Sequence, residues 1–272
     1  MSDIHKILDG AINYLKYKEK YSPLDIFESE IEASDGDYNI PAENNTGMAK
    51  KKTIQATGSK IAEDGTLVRE GAGTYIFTQE DWMNSSTLDE LREAIKDCQK
   101  CDLWKTRTNF VFGTGNPNAD IVCVGEAPGA EEDKQGKPFI GRAGQLLTKI
   151  LQAINFERDE VFIANILKSR PPDNRNPLPY EIEQCEPYLV KQLELIKPKL
   201  ILALGTFASQ TLLKTKEPLG KLRGKFHLYN GIKMMVTYHP AALLRNPHWK
   251  KPAWEDVQLL RAEYDKMMKE NK

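Results

Sequence analysis

The chain is poor in the features that mark secreted, membrane-spanning or disulfide-stapled proteins. Only four of its 272 residues are cysteine, Cys98, Cys101, Cys123 and Cys185. No stretch approaches the roughly 18 consecutive apolar residues of a membrane span. The opening run, MSDIHKILDGAINYLKYKEKY, interleaves charged with apolar residues and lacks the basic-then-apolar order of a secretory signal. These absences set the expectation of a cytoplasmic protein with no membrane partner. In a reducing compartment a disulfide framework is disfavoured. The Cys98–Cys101 pair, with two residues between, then points to metal, cluster or redox chemistry. Internal repeats are also absent.

Charge is nearly balanced overall, at −1, but unevenly spread. Residues 1–85 hold 9 Lys/Arg against 15 Asp/Glu, so the rest of the chain carries the positive excess. A nucleic-acid partner would bind that second part. Residues 4–20 place Ile4, Ile7, Leu8, Ala11, Ile12 and Leu15 at helical spacing. From about residue 30 to 80 the sequence turns polar, rich in Gly, Asn and Thr and without a period, which reads as a disordered linker. Residues 1–84 are therefore taken as an N-terminal extension and 85–272 as the folded domain. Ser85–Ser86–Thr87 ahead of LDELREAIKDC reads as an N-capped helix leading into the cysteine pair.

Beyond Asp120 the order is strand, loop, helix, repeated. ADIVCVGEAPG is a buried strand closed by a Gly/Pro loop, AGQLLTKILQAI an amphipathic helix, and VFIANILKS a second strand. PLPYEIEQCEPYLVKQLELI is a long helix with proline at its start. KLILALG and TFASQTLLK form a third strand and helix. FHLYNGIKMMVTYHP is a hairpin turning at Asn230–Gly231, and WEDVQLLRAEYDKMMKE a closing helix. This alternation predicts an α/β fold with a central, largely parallel sheet covered on both faces. Such sheets bind ligands at the carboxyl ends of their strands.

Three loops at such ends carry chemistry-bearing residues. In VGEAPG, Gly125 and Gly129 let the backbone approach a ligand, and Glu126, with Glu132 just beyond the loop, brings carboxylates. Asn165 ends the second strand; its amide both donates and accepts, as the imide edge of a pyrimidine requires. The following RPPDNRNPLP offers Arg170 and Arg175 to phosphates. His239, before Pro240, can donate to a developing oxyanion. Leu243 and Leu244 beside Arg245 make an apolar tip with a charge, as a wedge into a base stack needs. Phe139 in GKPFIGRAG can stack on a base. Each residue also has a plain structural reading: turn, core or solvated surface. Cys123, mid-strand, reads as core.

Together these segments resemble the family 4 (type 4, iron–sulfur) uracil-DNA glycosylases. The matching pieces are C98-QK-C101 with LWKTRTNFVFGTGNPNADIVCVGEAPGAEEDKQGKPFIGRAGQLL, then ANILKSRPPDNRNPLPYEIEQCEPYL, then YHPAALLR, in unbroken order over roughly residues 85–265. The resemblance implies a three-layer sandwich about a four-stranded sheet and a monomer that flips uracil out of DNA and cuts its glycosidic bond. Phe139 would stack on uracil, with Gly125 and Ala127 lining its pocket. Asn165 would read its polar edge, His239 would stabilise negative charge on O2, and Glu126 would support water or the cationic sugar. Leu243, Leu244 and Arg245 would fill the gap in the duplex, with Arg170 and Arg175 on the backbone. The resemblance also implies a [4Fe–4S] cluster on four cysteines. Cys98, Cys101 and Cys185 match, but Ser169 stands where the fourth is expected, leaving the cluster intact on three thiolates and a serine, altered or absent.

Two other readings stay open. One is a non-catalytic iron–sulfur DNA-binding or polymerase-associated module of the same fold. The other concerns residues 1–84, which either recruit a protein partner or are dispensable for catalysis.

Overall fold

The computed structural model describes residues 81–270 together with a small antiparallel pairing of Lys60–Ile61 with Leu67–Val68. The expected helix at 4–20 and most of the polar linker lie outside the described residues.

The central sheet has strands β1 (Thr114–Gly115), β2 (Ile121–Gly125), β3 (Phe162–Asn165), β4 (Leu200–Leu204), β5 (Phe226–Tyr229) and β6 (Ile232–Thr237). Their spatial order is β1-β3-β2-β4-β6-β5. The four inner strands are parallel, and β1 and β5 pair antiparallel at the two edges. The expected parallel core of four strands is thus extended to a six-stranded sheet. The hairpin strand β5 was legible from Asn230–Gly231, both of which adopt positive φ. The two-residue β1 carries no alternation to read.

The inner strands are continuous apolar runs because both faces are covered. Side chains alternate between two cores. On one face Val122, Val124, Ile201 and Ala203 pack with Leu91, Leu189 and Leu193, from helices α1 (Leu88–Ile95) and α4 (Pro179–Ile196). On the other, Ile121, Cys123, Leu200 and Leu202 pack with Leu147, Leu151 and Leu260. These come from α3 (Arg142–Ala153), which follows the short α2 (Ala130–Gln135), and from the last helix, Lys250–Glu270. Cys123 is wholly buried, as a small core residue would be.

Thr87 caps α1, its hydroxyl accepting from the Glu90 N–H at 3.1 Å, while the Glu90 carboxylate takes the Ser86 N–H at 2.7 Å. Trp82, three residues ahead of the expected domain start, already packs edge-on against Tyr188 at 4.9 Å. The parallel register sets Gly125 beside Asn165 at the carboxyl edge of the sheet. After β4 come α5 (Thr206–Leu213) and α6 (Leu219–Leu222). After β6, the segment read as a loop is a helix, α7 (Pro240–Arg245), with His239 as its N-cap and Pro240 in its first turn.

Candidate active site

A cleft of about 740 Å³ opens at the carboxyl edge. Glu126, Ala127, Phe139, Asn165, His239 and Arg245 all line it. Gly125 lies directly beneath: a Cβ there would come within 2.4 Å of Asn165 Oδ1 and 2.6 Å of Phe139 Cζ. Only glycine lets those two side chains meet over the strand end. Asn165 is 2% exposed, and its Oδ1 is the buried side-chain acceptor without a hydrogen-bond partner among the described residues. Leaving such an atom unpaired costs roughly 1–3 kcal/mol.

Phe139 holds positive φ (52°), a strained setting for an aromatic residue. Three contacts keep it there. Arg158 Nη2 donates to the carbonyls of Pro138 at 2.9 Å and Phe139 at 2.8 Å. Glu132 Oε1 accepts the N–H groups of Ile140 and Gly141 at 3.1 and 3.2 Å. Gly144 has no Cβ, and one would fall 1.9 Å from the Phe139 carbonyl oxygen. Glu132, read from sequence as a second carboxylate of the site, is thus occupied in shaping the loop. Arg158 was not legible as a site residue, since nothing in NFERDEV marks it.

The Phe139 ring lies 5.4 Å, centroid to centroid, from that of His239. His239 Nδ1 accepts the Ala241 N–H at 3.2 Å. A nitrogen that accepts carries no proton, so the ring's N–H is on Nε2. Burial, with Arg245 adding, pulls the imidazole down to about 4, so it is neutral near pH 7. It is therefore a neutral donor, as a site for a developing anion requires. Burial pushes Glu126 the other way, up to about 7.

The DNA-contact residues expected from sequence are placed unequally. Arg245 is exposed at the cleft rim, whereas Leu244 is half-buried against the same core that holds Leu243. Leu243 is 0% exposed and packs in the core below. This corrects the expected three-residue tip: the fourth position of α7 faces inward, and Leu243 anchors the helix to the core. Arg170 Nε donates to Asn174 Oδ1 at 2.8 Å. Arg175 grips Glu181 with both Nη atoms, at 2.5 and 2.9 Å, which ties up much of its fork.

Four residues past Asn165 lies a second cluster. Cys98 and Cys101 follow α1, Cys185 lies on α4, and Ser169 follows β3. Cys98 Sγ accepts from Tyr188 Oη and Cys185 Sγ from the Lys168 N–H, both at 3.2 Å. Burial pushes the Cys185 thiol up to about 12 against the pull of Lys168, and neighbouring Cys98 and Cys101 push the same way. Ser169 is buried, with its Oγ accepting from Arg107 Nη1 at 3.2 Å. Among the described residues no three His, Cys, Asp or Glu side chains group as ligands of a single metal ion. Three soft thiols on two segments, two of them receiving a hydrogen bond, suit an iron–sulfur cluster at three corners. The fourth corner offers a hard oxygen beside a guanidinium.

A profile of the Uracil DNA glycosylase superfamily matches residues 112–258. Curated relatives agree. The "Type-4 uracil-DNA glycosylase" of Archaeoglobus fulgidus is 44% identical over 180 residues, covering 63% of this chain and 90% of that protein. That of Saccharolobus solfataricus is 47% identical, covering 63% and 83%. That of Sulfurisphaera tokodaii is 44% identical, covering 64% and 84%. No helix among the described residues is long and apolar enough to cross a membrane.

Proposed function

The chain belongs to the uracil DNA glycosylase superfamily, in its type-4 group, and from that premise we propose that it excises uracil from DNA, leaving an abasic site. The observation that carries this reading is the unpaired, buried Oδ1 of Asn165 over Gly125. Uracil offers N3–H to that oxygen and O4 to the amide N–H. Cytosine has no proton on N3, so it would leave the acceptor unpaired, and the site discriminates by that loss.

The base, flipped from the stack, lies against Phe139, with Gly125 and Ala127 as the floor. The N1–C1′ bond breaks with its electron pair leaving on uracil. His239 Nε2–H donates to the charge developing on O2, at no reorganisation cost because the ring is already neutral and oriented. Glu126, as carboxylate, faces the sugar, where it favours the cationic C1′ or holds the water that adds there; the water's proton passes to the carboxylate or solvent. Arg245 at the rim and its neighbour Leu244, with Arg170 and the remaining capacity of Arg175, contact the DNA around the extruded nucleotide.

Cys98, Cys101 and Cys185, with Ser169 at the fourth corner, would hold an iron–sulfur cluster. Its contribution is structural: it would join the segment after α1 to α4 and to the end of the Asn165 segment. We place the protein in the cytoplasm as a monomer, with residues 85–272 sufficient for catalysis and residues 1–84 as an extension that recruits any protein partner.

The test is a uracil-containing oligonucleotide incubated with the protein and then cleaved at abasic sites by alkali. Cleavage at the uracil position is expected on single- or double-stranded substrate. Binding without cleavage on both would favour the non-catalytic module instead. Iron and sulfide measured on protein purified without oxygen test the cluster separately, and colourless, iron-free protein would remove it.

A further inference from the structure

Lys168 is a fully buried side chain with no role in the mechanism above. Its Nζ donates to the Asn165 carbonyl at 2.8 Å and to Gln192 Oε1 at 2.6 Å. Gln192, also 0% exposed, is fixed in turn by donating from Nε2 to the Phe112 carbonyl at 2.9 Å. Among the described residues no carboxylate pairs with this ammonium; both its acceptors are neutral. An ammonium taken out of water with no carboxylate partner is costly, by several kcal/mol, and the charge that favours it here is that of the Cys185 sulfur when ionised. A methionine would fill the same space without that cost, so the charge is the feature that needs a reason. Its position supplies one. It sits directly behind the residue that faces the base, in an interior where a fixed charge acts over longer range than in water.

Resting on the uracil-excision reading, we propose that Lys168 is a positioning residue for base release: its ammonium holds the Asn165 end of β3 and places a fixed positive charge behind the departing uracil anion. Lys168 touches no substrate atom; it acts through Asn165. Gln192 keeps the ammonium directed at the Asn165 carbonyl.

The test compares uracil with 5-fluorouracil as leaving group in single-turnover excision by wild-type protein and by Lys168→Met. The fluorinated base leaves as a weaker base, so it needs less help from a positive charge. The variant is expected to release uracil roughly tenfold to a hundredfold more slowly, with a deficit on 5-fluorouracil several-fold smaller. A merely structural role would slow both bases alike. Equal deficits, or none, would overturn the proposal; equal deficits with loss of iron would make Lys168 the counter-charge of the thiol corner instead. Where Lys168→Met does not fold, Gln192→Glu sets a carboxylate against the ammonium and should give the same unequal pattern, with equal deficits again counting against it. A wild-type protein inert on both bases would instead overturn the glycosylase reading on which this rests.

Discussion

The two ends of the segment 165–169 are built on opposite plans. At one end, Asn165 keeps a buried acceptor unpaired, His239 is desolvated and neutral, and Glu126 is held near its titration point. At the other, Cys98, Cys185 and Ser169 each receive a hydrogen bond. The first arrangement is unfavourable until something arrives to complete it; in the second, those three atoms are already held in place by protein donors. Buried polar groups in folded proteins are normally paired. The exception therefore marks where a substrate is expected, and the hydrogen-bonded corner marks a support.

This contrast can be broken by experiment, and the largest effect belongs to the cleft. His239→Ala removes the neutral donor and should lower the single-turnover rate about 10²–10³-fold with little change in affinity for uracil-containing DNA. A parallel loss of affinity would mean that His239 shapes the DNA surface rather than the chemistry. The corner should respond in stability instead. Cys185→Ala is expected to lower iron content and melting temperature together, whereas Cys123→Ala should lower the melting temperature alone. Iron lost equally from both would place Cys123 among the ligands and erase the distinction.

The smallest effect is a pH dependence. Glu126 has its folded-state pKa raised from 4.5 to about 7, so between these values the folded protein binds more protons than the unfolded chain. Its contribution therefore favours folding at low pH and is lost as pH rises through about 7. Glu126→Gln should accordingly melt slightly higher than wild type at pH 8 and about equally at pH 4. The same titration gives wild-type activity a limb rising through about pH 7 that the variant lacks. A limb that survives in Glu126→Gln would belong to another group.

Much of this was legible in the sequence where burial leaves a simple trace. The inner strands are apolar runs, the long helices are periodic, and Asn165, His239 and Phe139 stand at loop boundaries that the sheet brings to one edge. What escaped has equally physical reasons. Two-residue β1 is too short for a pattern, and the register of its neighbours creates it. Leu243 is an exposed tip only if HPAALLR is a loop. Once His239 caps and Pro240 starts a helix, the fourth residue turns inward. Arg158 and Lys168 were missed because long cations are ordinarily on the surface, and only tertiary packing sets one behind Phe139 and the other behind Asn165.

The left-handed backbone at Phe139 has a consequence for how this position can change. It makes two demands that most residues cannot meet together: a flat ring for the cleft, and a φ of 52° that glycine and asparagine adopt easily. Replacements that ease the backbone discard the ring, and β-branched replacements fail on both counts. Another aromatic residue would keep the ring at the same backbone strain, while relief of that strain would require changing the surroundings set by Gly144 and Arg158. The residue choice in this loop is thus narrowed by the scaffold as well as by the cleft it lines.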